Sequence, residues 1–164
     1  MIDLDLLLDY HYWARDRLID AVAPLTPADY VADRGNSFPS IRDTVVPLYS
    51  SEWVWYSRWR GQSPSAQRAA AEYPDVPSVR AAWLDLEREV RAHVGGLDAD
   101  ARARVFDYHA FSGQPLRSVF WHTLQHLVNH GSYHRGQLTT LLRQIGAAPP
   151  KSMDLIAFYR ERGL

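Results

Sequence analysis

Histidine offers this chain its most versatile chemistry, and five of the seven histidines lie between His109 and His134. Four of them, His122, His126, His130 and His134, recur at steps of four residues. On a helix such a step rotates by about 40°, so adjacent members nearly overlie one another. His130 and His134, one turn apart, can aim ring nitrogens at a single small cation. Imidazole suits zinc, nickel, copper or iron, and a catalytic site typically adds a third protein ligand while leaving a position open for water or substrate. The same spacing also arises in helices that bind nothing. His11, on the apolar face of the first helix, reads as a hydrogen-bonded core residue, and His93 and His109 read as surface or loop residues. There is no cysteine, which excludes thiolate ligands, disulfides and a cysteine nucleophile.

The elements that must position these residues are helical. Asp3 to Val22 places Leu4, Leu7, Leu8, His11, Leu18 and Val22 at helical spacing and ends at Pro24 and Pro27. Ser40-Ile41-Arg42-Asp43 is close to a capping box, with Asp in place of the usual Glu or Gln, and opens a second helix that stops at Gly61. Residues 62–77 read as a loop. Ser78 is the expected cap of a third helix reaching Val94, with Trp83, Leu86 and Val90 on one face. Residues 105–111 have the composition of a short extended stretch. The longest helix is expected from Pro115 to Gln144, with proline in its first turn and Gly146 past its end. Ser152 is expected to cap a short last helix, Met153 to Arg162. Four long helices predict an all-α bundle. The 16-residue loop can reach roughly 50 Å, further than the roughly 30 Å of a 20-residue helix, so it can cross the bundle and start helix three parallel to helix two.

Composition narrows the function classes. At 164 residues the chain has the size of one domain, 1–164. A net charge of −1, with acidic residues interspersed among the arginines, argues against nucleic acid and against an anionic membrane surface. Met1-Ile2-Asp3-Leu4-Asp5 is acidic where a signal peptide is basic, and no run of about 18 apolar residues is available to span a membrane. A cytoplasmic protein is expected.

The stretch Leu124-Gln125-His126-Leu127-Val128-Asn129-His130-Gly131-Ser132-Tyr133-His134-Arg135-Gly136-Gln137 resembles the histidine-rich helix of the DinB/YfiT-like family, which runs into His-Arg-Gly-Gln. Asp9-Tyr10 with Trp13-Ala14, Ser40 to Asp43, Glu52-Trp53 with Trp59-Arg60-Gly61, Leu142 to Gly146, and Pro149-Pro150 followed by Asp154 to Ala157 are similar to the family's pattern too. The resemblance covers essentially the whole chain. It implies an up-down-down-up four-helix bundle with long crossover loops and a short C-terminal helix, frequently a homodimer. The family name refers to DNA-damage-inducible genes. The resemblance also implies a divalent metal, zinc or nickel, held by one histidine of helix two and two of helix four. The latter carry over onto His130 and His134, with His126 as a possible accessory residue.

The helix-two ligand falls on Pro47, which has no side-chain lone pair. Proline inside a helix also removes one hydrogen bond and clashes with the carbonyl four residues earlier, at roughly 3 kcal/mol. A bend at 43–47 accommodates it, as does a helix that begins near Asp43. The metal site is therefore expected to be degenerate: either no tightly held metal, or one with substituted geometry drawing on His126, Tyr49, His11 or water. Three functional classes follow. One is a metal-dependent thiol transferase or hydrolase, in which the metal lowers the pKa of a bound thiol or water. Another is a non-enzymatic, small-molecule-binding or stress-associated dimer, its aromatic residues forming core and interface. Arg117 to His122 also matches the Arg-x4-His element of HEPN ribonucleases, a far shorter match in a chain that is not basic.

Overall fold

The computed structural model describes residues 3–35 and 37–164. Met1 and Ile2 of the acidic N-terminal segment lie outside them. Four long helices carry the architecture: α1 (Leu4–Val22), α3 (Arg42–Trp59), α4 (Val76–Gly95) and α6 (Phe120–Gln144). Short helices α2 (Pro27–Val31), α5 (Ala99–Ala103) and α7 (Leu155–Glu161), one 3-10 turn (Ala70–Glu72) and a two-stranded antiparallel hairpin, β1 (Val105–His109) with β2 (Pro115–Val119), complete it.

Side-chain pairs fix the helix directions. Asp9 meets Arg91, Arg15 meets Glu87, and Asp20 meets Arg80, so α1 and α4 are antiparallel. Trp59 bonds Thr123 and Trp55 packs on His126, which with Thr44 sharing a cleft with Gln137 makes α3 and α6 antiparallel. Tyr49 packs on Trp83 while Tyr56 packs on His93, so α3 and α4 run parallel. The order is up-down-down-up, and the chain crosses the bundle through residues 60–75.

Local chemistry explains the boundaries. The Asp3 carboxylate accepts from the Leu6 N–H at 3.0 Å, satisfying one orphan donor of α1. In α4, Val76, Val79, Trp83, Leu86, Val90 and Val94 form a buried stripe at helical spacing, and burying each such side chain stabilises by roughly 1.5–3 kcal/mol. Helix α4 starts earlier than Ser78 suggests. Asp75 is its cap, accepting from the Ser78 N–H at 2.8 Å, with Pro77 in the first turn. Thr26 caps α2, with Pro27 at its start, so the proline that ends α1 opens a further helix. Helix α7 begins at Leu155 after Asp154, not after Ser152.

The start of the longest helix is the main correction. Pro115 does not open it. Residues 115–119 pair with β1 in register Val105↔Val119 through His109↔Pro115, and α6 starts only at Phe120. Pro115 sits at the first residue of an edge strand, where its missing N–H costs nothing. Gly113 supplies the left-handed turn residue, φ 82°, that closes the hairpin. Pro47 lies inside α3, beyond the first turn. Ser40 still performs the capping its sequence promises: its hydroxyl accepts from the Asp43 N–H at 3.0 Å and donates to the Asp43 carboxylate at 2.6 Å.

Candidate functional site

The histidine helix places the predicted pair together. Nε2 of His130 and Nε2 of His134 are 3.1 Å apart. The Gln137 side-chain oxygen accepts from Nδ1 of His134 at 2.7 Å, which leaves the Nε2 lone pair of His134 facing His130. Nδ1 of His130 is buried without a hydrogen-bond partner. Burial, together with His134 and His126 alongside, lowers the His130 imidazole to about 4. His130 is therefore neutral at physiological pH, and the two rings share one hydrogen bond. The His126 ring is 5.6 Å from that of His130 and the same distance from Trp55, on the exposed flank of α6. His122 packs against Trp121 and faces solvent, so the four-histidine register yields one close pair.

Around the pair the described residues bring no third His, Cys, Asp or Glu side chain into position to hold a metal ion with it. The pairing of Trp59 with Thr123 and Trp55 with His126, with Thr44 beside Gln137, brings Pro47 to the level of the histidine pair on α3. Phe38 packs on His134 at 5.3 Å, as does the neighbouring Tyr133 at 5.2 Å. Among the described residues no group of three or more His, Cys, Asp or Glu side chains is placed to hold a metal ion. Two imidazoles with an apolar ring beside them do not match the three protein ligands a catalytic zinc requires. A cleft of about 180 Å³ adjoins the pair, lined by Phe38, Thr44, Gln137, Thr140, Leu141 and Gln144 and carrying no charged group.

Of two other histidines, one is buried in the core and one is half-buried. His11 is 3% exposed, as its helical position predicts, and its Nε2 meets Glu52 at 2.9 Å. His93 is not a surface residue: it is half-buried among Tyr56, Trp59 and Phe120, and burial, with Arg60 nearby, lowers its pKa. Tyr49, another candidate accessory ligand, bonds Tyr73 and packs on Trp83, away from the pair.

Sequence reasoning missed Glu52 as a buried charge. It is fully buried and accepts from His11, from the Tyr12 hydroxyl at 2.6 Å and from the Trp83 indole at 2.6 Å. Burial pushes its pKa up, but His11 and the hydrogen bonds from His11, Tyr12 and Trp83 outweigh that and hold it below the ordinary value. The glutamate ties α1, α3 and α4 together at mid-bundle. Its sequence signal was an acidic residue leading into the aromatic run of helix two, within the stretch that resembles the family's pattern.

Comparison with known proteins gives a consistent result. Protein DinB of Bacillus subtilis (strain 168) is 25% identical over 160 residues, an alignment spanning 93% of this chain and 92% of the relative. A crystal structure of a DinB-like protein from Bacillus cereus ATCC 10987 superposes with a TM-score of 0.64 at 16% identity, covering 89% of this chain and 95% of that one. The DinB family model matches residues 1–161, essentially the whole chain, and the protein belongs to the DinB family.

Proposed function

We propose that this chain is a divergent DinB-family bundle whose histidine site works without a resident divalent metal, binding a small polar molecule at the cleft beside His130, His134 and Gln137. The observation that carries this reading is the closed hydrogen-bonded pair, His130 to His134 to Gln137, with no third His, Cys, Asp or Glu placed to share a metal ion with it among the described residues. The imidazole, amide and hydroxyl groups around the cleft can donate to and accept from the hydrogen-bonding groups of a small molecule. The cleft, about 180 Å³, is below the roughly 300–1,000 Å³ of typical ligand pockets and suits a small compound or one arm of a larger one. No described helix is long and apolar enough to cross a membrane, and the reading places the protein in the cytoplasm as a homodimer.

Metal analysis of protein purified without a histidine tag tests the reading directly. We expect less than about 0.1 zinc or nickel per chain, and a Pro47→His variant, which restores an imidazole at this level of α3, is expected to gain zinc affinity by at least about tenfold. A stoichiometric metal in the wild-type protein that His130→Ala abolishes would overturn the proposal and favour the thiol transferase or hydrolase. Thermal denaturation with low-molecular-weight thiols, with and without zinc, separates the classes further, since only the metal enzyme responds to both together.

A further inference from the structure

Arg135 is 3% exposed, yet no carboxylate pairs with it among the described residues. Its Nη2 donates to the Ser132 hydroxyl at 2.8 Å and to the Tyr10 hydroxyl at 3.3 Å. Both hydroxyls direct their own protons elsewhere: Ser132 to the Val128 carbonyl at 3.2 Å, Tyr10 to the Met153 carbonyl at 2.9 Å. Each therefore offers lone pairs and no negative charge. A guanidinium has five N–H donors, so Nε and both hydrogens of Nη1 have no acceptor among the described residues. A buried cation held this way is costly unless something neutralises it. The Tyr10 ring, 5.5 Å from the guanidinium carbon, compensates only in part.

The guanidinium lines a cleft of about 370 Å³ between α1, α6 and the segment 150–155. That volume lies within the roughly 300–1,000 Å³ of small-molecule sites. Arg143 and Lys151 stand exposed at its mouth, and its one acidic side chain, Asp154, contacts the Ser152 hydroxyl at 3.2 Å. Three cations against one carboxylate give the cleft an excess of positive charge on a chain whose net charge is −1. Gly131 makes the arrangement possible: a Cβ there would come within 2.8 Å of Nη1 of Arg135.

We propose that this cleft binds the phosphate of a small phosphorylated molecule, with Arg135 as its buried anchor and Arg143 and Lys151 closing over the anion. The free Nε–H and Nη1–H groups can each donate to a phosphate oxygen, and a bidentate fork forms when the phosphate takes the place of the Ser132 or Tyr10 hydroxyl on Nη2. The surplus of positive charge favours a phosphate dianion over a single carboxylate. The cleft draws on a different face of α6 from the histidine pair and is independent of metal.

Calorimetric titration of the full chain at constant ionic strength, with phenyl phosphate, inorganic phosphate and benzoate in separate arms, tests this. Phenyl phosphate is expected to bind saturably with a Kd below about 1 mM, and benzoate at least about tenfold more weakly. Arg135→Gln is expected to weaken phenyl phosphate by about tenfold or more. An Arg143→Gln/Lys151→Gln double variant, altered only at exposed positions, is expected to lose about tenfold while keeping its circular dichroism spectrum and Tm. Tighter binding of inorganic phosphate than of the ester would identify free phosphate as the occupant and still support the site. The proposal is overturned if neither phosphate binds the wild type up to about 10 mM, if benzoate binds as well, or if the double variant binds unchanged. If Arg135→Gln fails to fold, the double variant decides alone.

Discussion

Arg15 and Arg135 are equally buried, 3% exposed each, and each sets its guanidinium against a tyrosine of α1, at 4.7 Å from Tyr12 and 5.5 Å from Tyr10. Their electrostatic surroundings are opposite. Arg15, facing α4, bonds the Asp16 and Glu87 carboxylates and the Trp83 carbonyl. Burial lowers its pKa, but Asp16 and Glu87 raise it more, and the net shift is upward. Arg135, facing the C-terminal segment, meets only hydroxyls; burial lowers its pKa and Tyr10 opposes it incompletely. One side of α1 is a closed set of answered charges that also includes Glu52 with its three donors. The other side leaves a cation unanswered beside a cleft.

The largest effect is expected on the closed side. Glu52→Gln places an amide donor among the donors of His11, Tyr12 and Trp83, and should cost about 4 kcal/mol of stability in urea denaturation. Because the folded-state pKa of Glu52 lies below its ordinary 4.5, its contribution is complete above that value and is lost as pH falls through the lower folded-state value. The wild-type urea midpoint should therefore drop below about pH 4.5, and Glu52→Gln should flatten that interval. Arg15→Met should cost about 2 kcal/mol, less than a fully buried pair, because Asp16 is exposed and Glu87 keeps Arg91. Arg135→Met, measured the same way in phosphate-free buffer, should change stability by less than about 1 kcal/mol and in the stabilising direction, since it removes an unanswered charge. A loss at Arg135 equal to that at Arg15 would erase the contrast and make Arg135 a structural residue.

Much of this was legible in the chain. The α4 stripe, the Ser40 cap and the spacing of His130 and His134 depend on residues a turn or two apart, and local rules describe them well. Pro115 was misread because proline suits both the first turn of a helix and the start of an edge strand; pairing with β1 decided between them. His93 was misread because its ring is partly covered by Trp59 and Phe120 from other elements.

The sequence by itself determined the long helices, the one-turn spacing of the histidine pair and the proline of helix two, and its resemblance to the family implied the up-down-down-up order. Those follow from periodicity, loop length and side-chain chemistry, and the family's pattern runs the length of the chain. Only the tertiary structure decided which buried charges are answered. Arg15 and Arg135 are the same residue type in similarly amphipathic helices, and their partners, Glu87 for one and Tyr10 for the other, lie 72 and 125 residues away. Local propensity has no access to such distances. They are set when apolar stripes drive the helices together and carry the polar groups with them, whether or not a counter-charge waits on the facing helix.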